Sequence, residues 1–305
     1  MRIVIALGGN ALLRRGEKPD AAVQLAHLVG AAPALAKIAA EHELVLVHGN
    51  GPQVGLLALE SIADTSLSRS YPLSDLVAET QGMIGYWLQQ ALSNAGLARP
   101  VVALVTQTVV ATDDPGFDHP TKFIGSGYAE DKAHQLAKRN NWTIRRDGNS
   151  WRRVVASPKP LRIVELETAE LLLQNQTTVV LAGGGGVPVI EGPDGLSGVE
   201  AVVDKDYVAA LVATQLKADL LVMLTDVPAV YLDYGTSSER PLHDITLADL
   251  DDHTFPPGSM GPKVAAARQF VAETSGRAAI GSLDDTTAVV AGSAGTQLSR
   301  AIQTD

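Results

Sequence analysis

At 305 residues, 46% hydrophobic and 19% charged, the chain is long enough to bury a large core and too apolar to be disordered. It has no cysteine, which excludes disulfides, thiolate catalysis and cysteine-based zinc sites, and its formal net charge of −10 argues against nucleic acid as the main partner. No apolar run approaches the roughly 20 residues that span a bilayer, and the first residues read as a strand rather than a signal peptide, so a cytoplasmic protein is expected.

The first predicted element is a strand over 3–7 that runs into Gly8-Gly9. A helix is predicted over 20–41, then a strand over 44–47 that runs into His48-Gly49-Asn50-Gly51-Pro52-Gln53-Val54-Gly55. The next helix, over 73–95, closes on Gly96, and a strand follows at 101–105. The alternation then breaks. From 113 to 159 the chain is polar and turn-rich, with Asp113-Asp114-Pro115-Gly116, Arg145-Arg146-Asp147-Gly148 and Ser157-Pro158. An insertion of this length, with its own helix predicted over 129–140, reads as a protruding flap of the kind that closes over a reacting centre. Six basic residues lie between Lys138 and Arg153 with Trp142 and Trp151 among them. They fit a small amphipathic hairpin better than a nucleic-acid surface. Beyond the insertion come a helix over 166–174, a strand over 178–181 that runs into the glycines at 183–186, and a helix over 205–217. A strand over 220–224, a helix over 259–274 and a strand over 278–280 complete the pattern. Alanine-rich helices between β-branched strands specify βαβ units, hence an α/β fold: a three-layer αβα sandwich with a mostly parallel central sheet and a protruding flap.

Three of these strands end in glycine bends, where backbone N–H groups can approach an anion without Cβ obstruction. In an open parallel sheet such bends gather at the carboxyl edge, where ligands bind, and three together would cradle phosphate. The four glycines at 183–186 also read as a plain strand-to-loop bend. The bend at Gly49 has GxGxxxG spacing, one residue too long for a dinucleotide fingerprint, and no GxxxxGK[ST] pattern is present, so the P-loop layout is excluded. Lys205, flanked by Asp204 and Asp206, stands at the start of a helix. A cation there opposes the helix dipole, so an anionic ligand or the flanking carboxylates must compensate. Lys263, in Gly261-Pro262-Lys263, and Lys122, in Pro120-Thr121-Lys122, are ordinary surface lysines when taken singly. None of the seven histidines has metal-ligand spacing. His48 reads as a hydrogen-bonded structural histidine, and the run Thr225 to Tyr231 as an unspecific turn.

Taken together, Gly8-Gly9-Asn10-Ala11-Leu12, the His48 to Gly55 run, Pro120-Thr121-Lys122, Arg152-Arg153-Val154-Val155-Ala156-Ser157-Pro158, the glycines at 183–186, Val203-Asp204-Lys205-Asp206 and Gly258-Ser259-Met260-Gly261-Pro262-Lys263 resemble the carbamate kinase family of the amino acid kinase superfamily. The likeness covers essentially the whole chain. It implies reversible transfer of a phosphoryl group between ATP and carbamate, with ATP or ADP and Mg²⁺ as partners of the reaction, without a covalent enzyme intermediate. It further implies a homodimer serving arginine or other carbamoyl-yielding catabolism. A single domain over 1–305 would comprise an acceptor lobe at about 1–215, carrying the flap at about 113–159, and a nucleotide lobe at about 216–305. Lys122, Lys205, Asp206 and Lys263 would be catalytic. Gly8, Gly9, Asn10, Gly49, Asn50, Gly51, Gly184 and Gly185 would hold the acceptor and the transferring group, with backbone amides of Gly8, Gly9, Gly49 and Gly51 as the cradle. Asp204, Thr225, Asp226, Val227, Tyr231, Met260 and Lys263 would face the nucleotide. No side chain is expected to bind metal directly, Mg²⁺ being held mainly by phosphates and water. The family generally shows Pro-x-Gly-Pro-Phe-Tyr after the flap lysine, where this chain has Phe123-Ile124-Gly125-Ser126-Gly127-Tyr128, which predicts a less rigid flap and a less fixed Lys122. Another acyl phosphate kinase of the superfamily, or a nucleotide-binding paralogue of weak activity, are the alternatives.

Overall fold

The computed structural model describes residues 1–300 except 10, 11, 15, 252 and 256–259. The chain begins with β1 (Arg2–Leu7), α1 (Ala21–Glu41), β2 (Glu43–His48), α2 (Gly51–Ala63) and α3 (Leu73–Asn94). Strands β3 (Val101–Ala103) and β4 (Gln107–Val110) lead into the insertion, built from β5 (Lys122–Tyr128), α4 (Glu130–Asn140), β6 (Thr143–Asp147) and β7 (Ser150–Val155). The body resumes with β8 (Pro160–Ile163), α5 (Leu166–Gln174), β9 (Thr178–Val180), β10 (Val187–Gly192), β11 (Gly195–Gly198) and α6 (Lys205–Gln215). Then follow β12 (Leu220–Thr225), β13 (Val230–Leu232), β14 (Arg240–Leu242), β15 (Asp244–Thr246) and α7 (Leu247–Asp251). The last elements are α8 (Met260–Glu273), β16 (Arg277–Ser282), α9 (Thr286–Ala291) and β17 (Thr296–Ser299).

Eight strands form the central sheet in the order β15-β17-β16-β12-β1-β2-β9-β3, parallel except where β16 meets β17. Its inner strands β1, β2, β9 and β12 are apolar on both faces because both faces are covered. Ile3, Ile5 and Leu7 of β1 pack with Leu28 and Leu35 of α1 and with Ile84 and Leu88 of α3. Val4 and Ala6 face the other way, onto Val208 and Val212 of α6 and Phe270 of α8. The two-residue period of the strand thus builds the three layers, each buried aliphatic side chain contributing about 1.5–3 kcal/mol. By length and composition α1 could cross a membrane, which corrects the expectation that no run approaches that size. Its Leu28, Ala32, Leu35 and Ala39 are nevertheless core residues.

The flap is a three-stranded antiparallel sheet, β5-β7-β6, with α4 against it. It sits over α2 at a contact that only glycines permit: a Cβ on Gly55 would lie 2.0 Å from Gly125 Cα, and Gly125 itself has φ +67°. A mixed sheet, β11-β10-β4-β8, joins flap to body. Among the described residues, the predicted strands and helices of the main body are all present within a few residues. Helix α2, hidden behind its glycine-rich start, the short helices α7 and α9, and the strands β4, β8, β10, β11, β13, β14, β15 and β17 were not foreseen.

Candidate active site

Moving outward from β1, the chain proceeds to β2 on one side and, after a long excursion, to β12 and β16 on the other. A crevice opens at such a reversal, outside the carboxyl ends of the strands. The bends after β1, β2 and β9 all lie there. Gly8 donates its N–H to Leu224 O at 3.0 Å and Gly49 donates to Leu7 O at 3.1 Å, while Gly185 donates to Ala182 O at 3.0 Å. These amides extend the sheet and close the turn, so those of Gly8 and Gly49 are already bonded rather than open to a phosphate as expected. Among the described residues, the amides with no hydrogen-bond partner here are those of Gly9, beside Gly49, and of Gly51 and Gln53 in the first turn of α2.

The glycines serve close packing as much as anion approach. A Cβ on Gly49 would lie 3.3 Å from the Lys205 stem, so its absence lets that stem cross the turn. A Cβ on Gly183 would strike His48 Nε2 at 2.2 Å, one on Gly184 would strike Asn50 Nδ2 at 2.2 Å, and one on Gly185 would strike Val203 O at 2.1 Å. Asn50, the N-cap residue of α2, is buried and donates to Thr80 Oγ1 at 2.9 Å, leaving one of its two amide hydrogens for a ligand. His48 is buried with Nδ1 3.0 Å from Gly49 O, and burial pushes its pKa down to about 4, so the ring is neutral and structural.

Three lysines from three elements meet at the start of α6. Lys205 Nζ lies 2.6 Å from Asp206 Oδ1, and Lys263 Nζ, reaching across from α8, lies 3.1 Å from Asp206 Oδ2. Lys122 Nζ, from the first residue of β5 in the flap, lies 2.6 Å from Asp204 Oδ2. The other Asp204 oxygen caps α6, accepting the Asp206 N–H at 2.9 Å. Lys122 is thus ion-paired to the start of α6 even though glycines rather than prolines follow it. Burial raises the Asp206 pKa, but Lys205 and Lys263 overcome it and hold the carboxyl far below the usual carboxylate range. Burial lowers the Lys205 pKa more than Asp206 restores it. At Lys122 the order reverses: burial works against the charge, and Asp204 prevails and raises the pKa. Three ammonium groups against two carboxylates leave a net positive pocket in an acidic protein.

Thr225 ends β12 at the same edge, with its hydroxyl 3.1 Å from Asp226 Oδ1, and Val227 follows in the turn. Tyr231 lies in β13, its ring 5.8 Å from that of Tyr234. Met260 opens α8, one turn before Lys263, and packs on the core. Asn10, Gly258 and Ser259 lie outside the described residues. What the sequence did not reveal is a buried polar brace beneath the glycine turn. Thr108 Oγ1 donates to Gly185 O at 2.8 Å, Thr106 Oγ1 accepts the Ala182 N–H at 3.1 Å, and Gln81 exchanges two hydrogen bonds with the Thr106 backbone. A polar Thr80-Gln81 pair within an amphipathic helix was its one signal.

The sequence model of the Amino acid kinase family matches residues 1–282. The chain belongs to that family. As an amino acid kinase it is 48% identical over 303 residues to a carbamate kinase of Rhizobium meliloti, the match covering 98% of this chain and 93% of the relative. The fold is also that of carbamate kinase from Giardia lamblia. The structure of that protein bound to citric acid superposes with a TM-score of 0.92 at 39% identity, covering 97% of each chain. The structure bound to AMP-PNP superposes at 0.88 and 40% identity, covering 97% of this chain and 98% of that one.

Proposed function

We propose that this amino acid kinase transfers a phosphoryl group reversibly between ATP and carbamate, so that carbamoyl phosphate and ADP give ATP and carbamate. The observation that carries the reading is the convergence of Lys122, Lys205 and Lys263 on two adjacent carboxylates at the sheet's switch point. The full-length likeness to carbamate kinases supports the same acceptor. An attacking carboxylate oxygen of carbamate forms the new bond to the γ-phosphorus as the bridging oxygen of ADP departs, and no proton changes hands. The transition state is loose and spreads charge over the equatorial oxygens, so catalysis is positioning and electrostatics. Lys122 and Lys205 stand against the transferring group, Lys263 reaches the phosphates from the nucleotide side, and Asp206 positions two of the three. The open amides of Gly9 and of the α2 terminus, with Asn50, fit the small acceptor.

Mg²⁺ would supply charge neutralisation on the nucleotide's phosphates. The donor set fits an ion carried on those phosphates rather than held by side chains. Both Asp206 oxygens and one Asp204 oxygen already receive lysine ammonium groups, and no cluster of three metal-binding side chains occurs among the described residues.

We assign residues up to about 215, with the flap, to acceptor binding, and those from about 216 to nucleotide binding, where Thr225, Asp226, Val227, Tyr231 and Met260 lie. We also read the protein as a cytoplasmic homodimer acting in carbamoyl-yielding catabolism. Exposed Tyr86 on α3 and exposed Val105 beyond the open edge strand β3 support a second copy on that side. The deciding experiment incubates purified protein with ADP, Mg²⁺ and carbamoyl phosphate and measures ATP. In the other direction it offers carbamate, acetate and amino acids with ATP. ATP formation together with a preference for carbamate is expected. Nucleotide binding without ATP formation would overturn the reading.

A further inference from the structure

A cavity of about 590 Å³ lies away from the lysine cluster, between the flap and the segment at 64–72 that joins α2 to α3. That volume suits a metabolite-sized molecule. Three guanidinium groups from three separate elements line it: Arg69 from the joining segment, Arg139 near the end of α4, and Arg153 from β7. Among the described residues none of the three makes an ion pair. Two carboxylates share the lining and offset part of that charge, with Glu200 acting directly on Arg153. Asp64 accepts from the Ser66 N–H at 2.8 Å and from its hydroxyl at 2.7 Å, and a Glu200 oxygen accepts the Leu73 N–H at 2.9 Å. The Arg153 guanidinium lies 5.0 Å from the Trp142 ring centroid, which orients its plane. Three guanidinium groups against two carboxylates leave the hollow net positive in a chain of net charge −10, which calls for an anion from outside. Guanidinium forks match carboxylate and phosphate oxygens two at a time.

We propose that this cavity binds a small organic anion bearing two or three carboxylate or phosphate groups, and that the bound anion ties the flap to the body. Arg139 and Arg153 belong to the flap and Arg69 to the body, so one ligand bridging them favours the arrangement in which β5 delivers Lys122 to Asp204. Such differential binding is what couples a remote ligand to the reaction. The kinetic consequence rests on the proposed phosphoryl transfer, whereas the binding itself does not.

Benzene-1,3,5-tricarboxylate is a suitable probe, with its neutral tricarboxamide as control. Calorimetric titration is expected to show one site per chain for the acid and none for the amide. The double variant Arg69→Gln/Arg139→Gln should weaken binding at least about tenfold, and Lys205→Ala should leave it unchanged. With carbamoyl phosphate as varied substrate, the probe should lower KM in the native protein and leave the double variant unaffected. Absence of binding at millimolar probe, equal binding by the double variant, or loss of binding in Lys205→Ala would each overturn the site. Binding with the expected variant pattern but an unmoved KM would overturn the tie to the flap. Binding in a protein that forms no ATP would count against the phosphoryl-transfer reading alone.

Discussion

Asp206 holds Lys205 with one oxygen and Lys263 with the other, so its removal should disorder two cations at once. Asp206→Asn is expected to lower the rate of ATP formation by about 10²–10³, the usual cost of losing a preorganised electrostatic contact. A rate within threefold of the native protein, with the fold intact by circular dichroism, would show that the lysines are placed by something else. His48 offers a second test. Its folded-state pKa is depressed from 6.5 to about 4 by burial, so below the ordinary value the unfolded chain takes up a proton that the native state refuses. Stability should therefore fall as pH drops from about 6.5 to about 4, and His48→Gln should lose less over that window. Urea midpoints at pH 7 and pH 4.5 for both proteins would decide the matter, with equal losses refuting it.

At the scale of elements, the turn at Gly183–Gly185 concentrates the demands of the site. Gly185 has φ +91° and its missing Cβ makes room for Val203 O. Gly185→Ala is expected to cost at least about 1–3 kcal/mol through backbone strain and collision, read as a lowered urea midpoint; an unchanged midpoint would contradict the packing described. Much of this architecture was legible beforehand. Strands β1, β2, β9 and β12 are buried on both faces and so appear as unbroken apolar runs, and the glycines that end three of them are conspicuous. Lys205 between two aspartates was likewise visible as an unusual helix start. Lys122 and Lys263 carried no local signal, and their partnership with Asp204 and Asp206 exists only because the flap and α8 fold back onto α6. The amide donors were misjudged for a related reason. A glycine at a strand end looks available in sequence, but Gly8 and Gly49 go on bonding to the neighbouring strands for one more residue. The Thr106, Thr108 and Gln81 brace stayed hidden because its members stand far apart along the chain.

At the scale of the whole molecule, the exposed Tyr86 and Val105 lie toward one end of the central sheet, by the open edge strand β3. Light scattering after gel filtration is expected to give twice the 31.9 kDa chain mass, and Tyr86→Lys to shift the protein toward the single chain; a native protein eluting at 31.9 kDa would dismiss the pairing. The central sheet itself has a mechanical consequence. Because β1 and β12 are hydrogen-bonded neighbours from Ile3 to Leu7, parting the palm of the molecule between them would tear a backbone ladder. On the proposed reaction, admission and release would then fall to the thumb made by β5, β6, β7 and α4. In a chain with no native thiol to interfere, a single engineered clasp between thumb and palm would halt turnover while leaving every reacting atom untouched.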